Sequence, residues 1–271
     1  RAGTSAGATS QGDYAVAIGS VAGATTQSSG AVAVGRAAGG TAQGVNAVAV
    51  GRGAGANDQT TLATAVGINA GETTQSSNAV AVGNSAGKTT QGVGSVAVGY
   101  NAALRNQADN SVAAGRSAGQ DNQGATAVAV GYRAGEDTQG ESGTAVGFGA
   151  GLTSQALGAT AIGYKAGQTT QGQQATSVGY LAGFNQQGTG AVAVGMSSGQ
   201  VSQGTNTVAL GRESGNSAQG NNAVAIGYQA AEDNQGVNAV AIAVGAGQTT
   251  QGTAAVAVGN SAGQTGQGGN A

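Results

Sequence analysis

Apolar residues recur along this chain in short alternating runs, each closed by glycine and followed by a longer stretch of small and polar residues. Residues 46–51 read N-A-V-A-V-G, residues 110–115 read N-S-V-A-A-G, and residues 222–227 read N-A-V-A-I-G. The runs are sixteen residues apart, and one residue type keeps the count from end to end. Glutamine stands at Gln11, Gln27, Gln43, Gln59, Gln75, Gln91, Gln107, Gln123, Gln139, Gln155, Gln171, Gln187, Gln203, Gln219, Gln235, Gln251 and Gln267, seventeen positions with no insertion or deletion between them. A fixed period of this length specifies a stack of identical units.

With Ala15 as position 1 of the repeat, position 2 is Val or Thr and position 4 is mostly Val or Ile, while positions 1 and 3 are almost all Ala. Alternation with β-branched residues on one side predicts a short strand, apolar on both faces. A helix is excluded, because glycine would interrupt it two or three times per repeat at about 1 kcal/mol each. The Ala-Gly pair at positions 8 and 9 predicts a second strand over roughly positions 6–8, with the polar positions 10–12 forming an outward turn. Asn at position 16 (Asn46, Asn78, Asn110, Asn206, Asn238) suits the turn into the next repeat. The prediction is an all-β parallel β-solenoid of sixteen-residue coils, about 17 of them, spanning roughly 80 Å at strand spacing. It forms one continuous domain over residues 1–271.

So small a coil has room inside for only one set of side chains. Alanine suits that thin interior, which sends Val and Ile outward as a long apolar stripe; the opposite assignment leaves a milder patch. A stripe of this length exceeds what a monomer leaves exposed. Its expected cover is the same stripe on identical chains, three around an axis.

Composition changes the picture little. Charged residues are 7% and aromatics 3% of the chain, net charge is −2, and the nine basic residues are scattered in sequence, so no nucleic-acid footprint is expected. There is no apolar run long enough for a membrane-spanning helix. Cysteine is absent, which excludes disulfides and thiolate metal sites and accords with an extracellular setting. The chain begins and ends inside a repeat, as a segment of a longer protein would.

These repeats resemble the head of trimeric autotransporter adhesins of the Yersinia-adhesin type, and related phage and large-virus fibre proteins, over essentially the whole chain. The resemblance implies a left-handed parallel β-roll, wound as a homotrimer and displayed on a cell surface or virion for attachment. The repeat here is longer than is usual in that family, which implies one longer turn.

Chemistry has few materials. There is no His or Cys, and the eleven acids are dispersed, so neither an enzyme nor a bound cofactor or metal is expected. The glutamines read as a structural ladder, each amide donating to one neighbouring coil and accepting from the other. Position 6 carries Arg36, Arg52 and Arg116, then an aromatic stripe of Tyr100, Tyr132, Phe148, Tyr164, Tyr180 and Tyr228. Tyrosine there could meet a cell-surface glycan or protein; packing at a chain–chain seam is the preferred reading. The expected function is that of a non-enzymatic fibre or adhesin head segment. The alternative is ice binding, suggested by pairs such as Thr73-Thr74 and Thr249-Thr250. Two features weigh against it: neighbours on a strand face opposite ways, and charges interrupt the columns. Glycine at position 5 gives way once, to Ala243, which predicts negative φ there and a glycine kept for want of space.

Overall fold

The computed structural model describes residues 2–271. They form an all-β parallel β-solenoid of about sixteen coils, with no helix among the described residues. Two compact units divide it, residues 1–138 and 139–271, and both are built the same way.

The first strand of each coil occupies positions 2–4, as in Val80–Val82 and Val192–Val194. It pairs in parallel with its counterparts one period away, Val80 beside Val96 and Val192 beside Val208. Pairing at an even sixteen keeps each residue type stacked on itself. The middle residue points inward: Ala33, Ala81, Ala161 and Ala193 are fully buried, while the residues on either side face out. Alanine at positions 1 and 8 completes the interior with the glutamine of position 13. Valine is therefore outside and alanine inside, the first of the two assignments above.

The second strand is not where the sequence pattern placed it. Positions 6–8 lie in a corner turn, and the strand covers positions 11–13, as in Thr73–Gln75 and Thr169–Gln171. The cause is backbone conformation. Position 7 has positive φ whatever residue fills it: Val21 at 52°, Arg133 at 55°, Lys165 at 53° and Leu181 at 55°. A strand requires negative φ. Most of these residues carry a Cβ that disfavours the left-handed region by about 1–2 kcal/mol, and each is held by its neighbour. The Arg133 amide donates to the Arg116 carbonyl at 2.9 Å, and that of Lys165 to Phe148 at 2.8 Å. Satisfying the backbone between coils outweighs local preference.

The expected negative φ at position 5 is also overturned. Gly131 lies at 128° and Gly163 at 130°, a region open to glycine. Crowding is real as well, since a Cβ on Gly163 would stand 2.5 Å from the Gly179 carbonyl oxygen. Ala243 occupies the same place at φ 106°, pulled back from the glycine value. Its amide still donates to Ile226 at 2.8 Å, so the coil absorbs the methyl by a local rotation rather than by breaking its ladder.

Candidate functional site

The glutamines of position 13 lie inside both units, nearly all of them buried. In the second unit an unbroken row runs from Gln139 to Gln267. Each Nε2 donates to the Oε1 one period onward, for example Gln139 to Gln155 at 3.0 Å, Gln155 to Gln171 at 3.1 Å and Gln219 to Gln235 at 2.9 Å. The other amide hydrogen reaches back to the strand at position 2, as from Gln155 to the Thr144 carbonyl at 2.8 Å. In the first unit the row runs from Gln11 to Gln91. It resumes between Gln107 and Gln123 at 3.2 Å. Gln91 gives its hydrogens to the carbonyls of Val80 and Ser95, and the buried Oε1 of Gln107 has no partner. Serine replaces alanine at position 1 in both of these coils, and Ser95 and Ser111 bond to their own turns. Ser177 does enter the row, accepting from Gln171 and donating to Gln187 at 2.7 Å.

The outward side of the first sheet is apolar in each unit. Positions 2 and 4 hold Val, Ile, Thr, one Leu and two Ala, without a single charge. Val98 is 40% exposed and Ile162 40%, values set by packing against like neighbours in the column.

Position 6 forms an exposed column at the corner, separated from position 4 by the bare glycine backbone. In the second unit Phe148, Tyr164 and Tyr180 stack face to face, with centroids 5.1 and 5.0 Å apart. Their faces cover one another, leaving edges and hydroxyls outward, which is poor geometry for stacking sugars. Tyr228 stands over Arg212, whose guanidinium carbon is 5.4 Å from the ring centroid. In the first unit the Arg116 guanidinium is sandwiched, 5.6 Å from each of the Tyr100 and Tyr132 centroids.

The second sheet presents a different outer surface. Position 12 is left-handed from Asp58 onward, including Thr74 at 51° and Thr170 at 46°. That turns both positions 11 and 12 outward, so Thr73 and Thr74 are exposed side by side. Paired threonines therefore share one outer surface here, contrary to the alternation expected of a regular strand. Hydroxyls at position 11 are tethered to the next coil, Thr89 to the Leu104 carbonyl and Thr249 to that of Gln264, both at 3.2 Å. Ion pairs cross the same surface: Arg105 with Asp121, and Lys88 with Glu72 at 3.5 Å. Hydrogen bonding to Arg105 holds the Asp121 carboxyl below its ordinary pKa. Before Asp58, position 12 is extended and paired; where the conformation changes, a cavity of about 310 Å³ opens beside Thr26, Gln43, Asp58 and Thr60. It contains one carboxylate and no second ionisable group.

Among the described residues no cluster of His, Cys, Asp or Glu could hold a metal ion, and no helix is long and apolar enough to cross a membrane. What the sequence did not signal is the left-handed position 12, because Thr, Asn, Asp, Gln, Ser and Ala all occupy it.

Compared with protein-family models, curated proteins and solved structures, the chain matches none.

Proposed function

We propose that this chain is a non-enzymatic structural segment of an extracellular fibre or adhesin head, assembled as a parallel homotrimer. The observation that carries the proposal is the uncharged, β-branched outer face of the first sheet. A surface so uniform and apolar, repeated coil after coil, favours association with its own kind over exposure to water. The interior supports the same reading: alanine and hydrogen-bonded glutamine fill each unit, as suits a structural element. Three chains meeting on the Val and Ile columns give a dry axis. The polar second sheet then faces outward, on a cell surface or virion.

Light scattering tests this directly. The expected mass is three times that of one chain, and Val130→Asp should shift it toward the monomer, because unpaired carboxylates would be buried together. A stable, soluble monomer of the native sequence rejects the proposal.

Ice binding is the second reading, favoured by the side-by-side exposure of positions 11 and 12 with their threonine hydroxyls held in fixed orientations. Charges at Asp58, Arg105, Asp121 and Asp233 interrupt that plane. Thermal hysteresis in dilute solution discriminates between the readings: a fibre segment shows none.

A further inference from the structure

The basic residues are scattered along the sequence but gathered by the coil. Six of the nine (Arg36, Arg52, Arg116, Arg133, Lys165 and Arg212) fall at positions 6 and 7, whereas Glu213 alone of the eleven acids does. Both positions belong to the corner turn. The first unit shows the segregation most sharply, since its corner column carries no acid at either position. Arg36 and Arg52 are exposed on consecutive coils, and neither forms an ion pair among the described residues. Arg116 also lacks a carboxylate partner and is held instead between the faces of Tyr100 and Tyr132. That sandwich holds the guanidinium between the two rings, and Arg116 remains exposed. Arg133, by contrast, is already engaged with Glu136 at 2.5 Å.

Three uncompensated guanidinium groups on one edge of a net-negative chain need an explanation. Among the described residues of this unit the basic side chains off the corner are Lys88, just before a second-sheet strand, and Arg105, on one, and each is paired with an acid. From Arg36 to Tyr132 the column reads Arg, Arg, Ile, Asn, Tyr, Arg, Tyr, one residue per coil. Successive coils are about 4.8 Å apart, close to the rise of one sugar in an extended polysaccharide. Guanidinium groups bind carboxylate or sulfate in bidentate fashion, while Asn84 and the tyrosine hydroxyls can bond sugar hydroxyls. A duplex would not fit a single file of side chains on a narrow corner so well, because its phosphates spread over two strands.

We infer that the position-6 corner of the first unit, with Arg36, Arg52 and Arg116 as its charged contacts, binds an extended acidic polysaccharide lying along the coil axis. The shared ligand chemistry is a sugar polymer bearing carboxylate or sulfate groups. The inference rests on the attachment role proposed above and gives that role a ligand class.

The test is calorimetric titration of the full chain with four probes: polygalacturonate, heparin, neutral dextran and double-stranded DNA. Binding to polygalacturonate, heparin or both is expected, weakening as salt rises, with no binding to dextran; which acidic polymer binds identifies carboxylate or sulfate as the recognised group. Single changes Arg36→Gln, Arg52→Gln and Arg116→Gln should each weaken affinity by about tenfold, the scale of one hydrogen-bonded charge. Lys88→Gln and Arg105→Gln, away from the corner, should leave it unchanged. Circular dichroism confirms that each variant is folded. The inference is overturned if neither acidic polysaccharide binds, if the corner variants bind as well as the native chain, or if DNA binds as tightly as the glycans. Mass by light scattering on the same samples separates the two proposals: a trimer that ignores acidic glycans makes this corner a seam and leaves the fibre intact. A monomer that binds them retains the site and removes the assembly.

Discussion

The two sheets of a coil share strand length, period and stacking direction, yet they are stabilised differently. In the first, side chains alternate as an ideal strand requires, alanine in and valine out. In the second, the left-handed residue at position 12 cancels the alternation, so two polar residues face water and glutamine alone turns in. One wall excludes water by close approach of methyl groups; the other fills the remaining width with amides that bond to one another. The first sheet should therefore fail when volume is added, and the second when a hydrogen bond is removed.

Gln155→Leu should have the largest effect. It leaves the Gln139 amide, the Gln171 Oε1 and the Thr144 carbonyl without the partners they have now. The Gln139 amide keeps its bond to the Gly143 carbonyl, so at about 1–3 kcal/mol for each of the two acceptors that lose a donor, a loss near 2–6 kcal/mol is expected in urea denaturation. A loss below about 1 kcal/mol would mean that shape alone holds the second wall. On the opposite wall, Ala161→Val adds volume at a fully buried site and removes no hydrogen-bonding group. The expected cost is about 1–3 kcal/mol, with unaltered exchange protection in the glutamine side chains. Loss of that protection would merge the two walls into one cooperative element.

How far these differences could be read in advance depends on what fixed each feature. Period, inward alanine and buried glutamine were legible because side-chain size and polarity specify them. The place of the second strand was not. Val21, Arg133 and Leu181 carry no turn signal, and their left-handed backbone is imposed by amides that bond to the preceding coil. At position 5 the pattern exposed the crowding around Gly163 but hid its positive φ, because Ala243 showed the position to be permissive. The arginines of position 6 were legible as one column, but their gathering on an exposed corner away from the acids appears only once the coil is wound. Whether that edge takes a ligand lies outside what size and polarity encode.

Smaller effects sharpen the contrast. Thr74 is β-branched yet left-handed at 51°, so Thr74→Asn should stabilise the outer surface of the second sheet by about 0.5–1 kcal/mol, measured as a raised Tm. A corresponding change at Val80, in the extended first sheet, should give no gain. Acid should touch the second sheet first, but weakly. Because Arg105 lowers the Asp121 pKa in the folded state, the pair contributes fully above the ordinary carboxylate range. Its contribution fades as pH falls through the lowered value. At the surface this is worth well under about 1 kcal/mol. Asp121→Asn should abolish that portion of the pH dependence and leave the remainder.

The glutamine row has one more property, its sense. From Gln139 to Gln267 every amide points the same way, nitrogen toward the oxygen of the next rung. Aligned amide dipoles polarise one another. Turning a single amide over would set two donors face to face on one side and two acceptors on the other, so reversal can only spread along the row or not occur. The second donor bond, to position-2 carbonyls, selects one of the two senses. The second unit is thereby electrically directional through its interior, with a polarity inherited from the order in which its residues were joined.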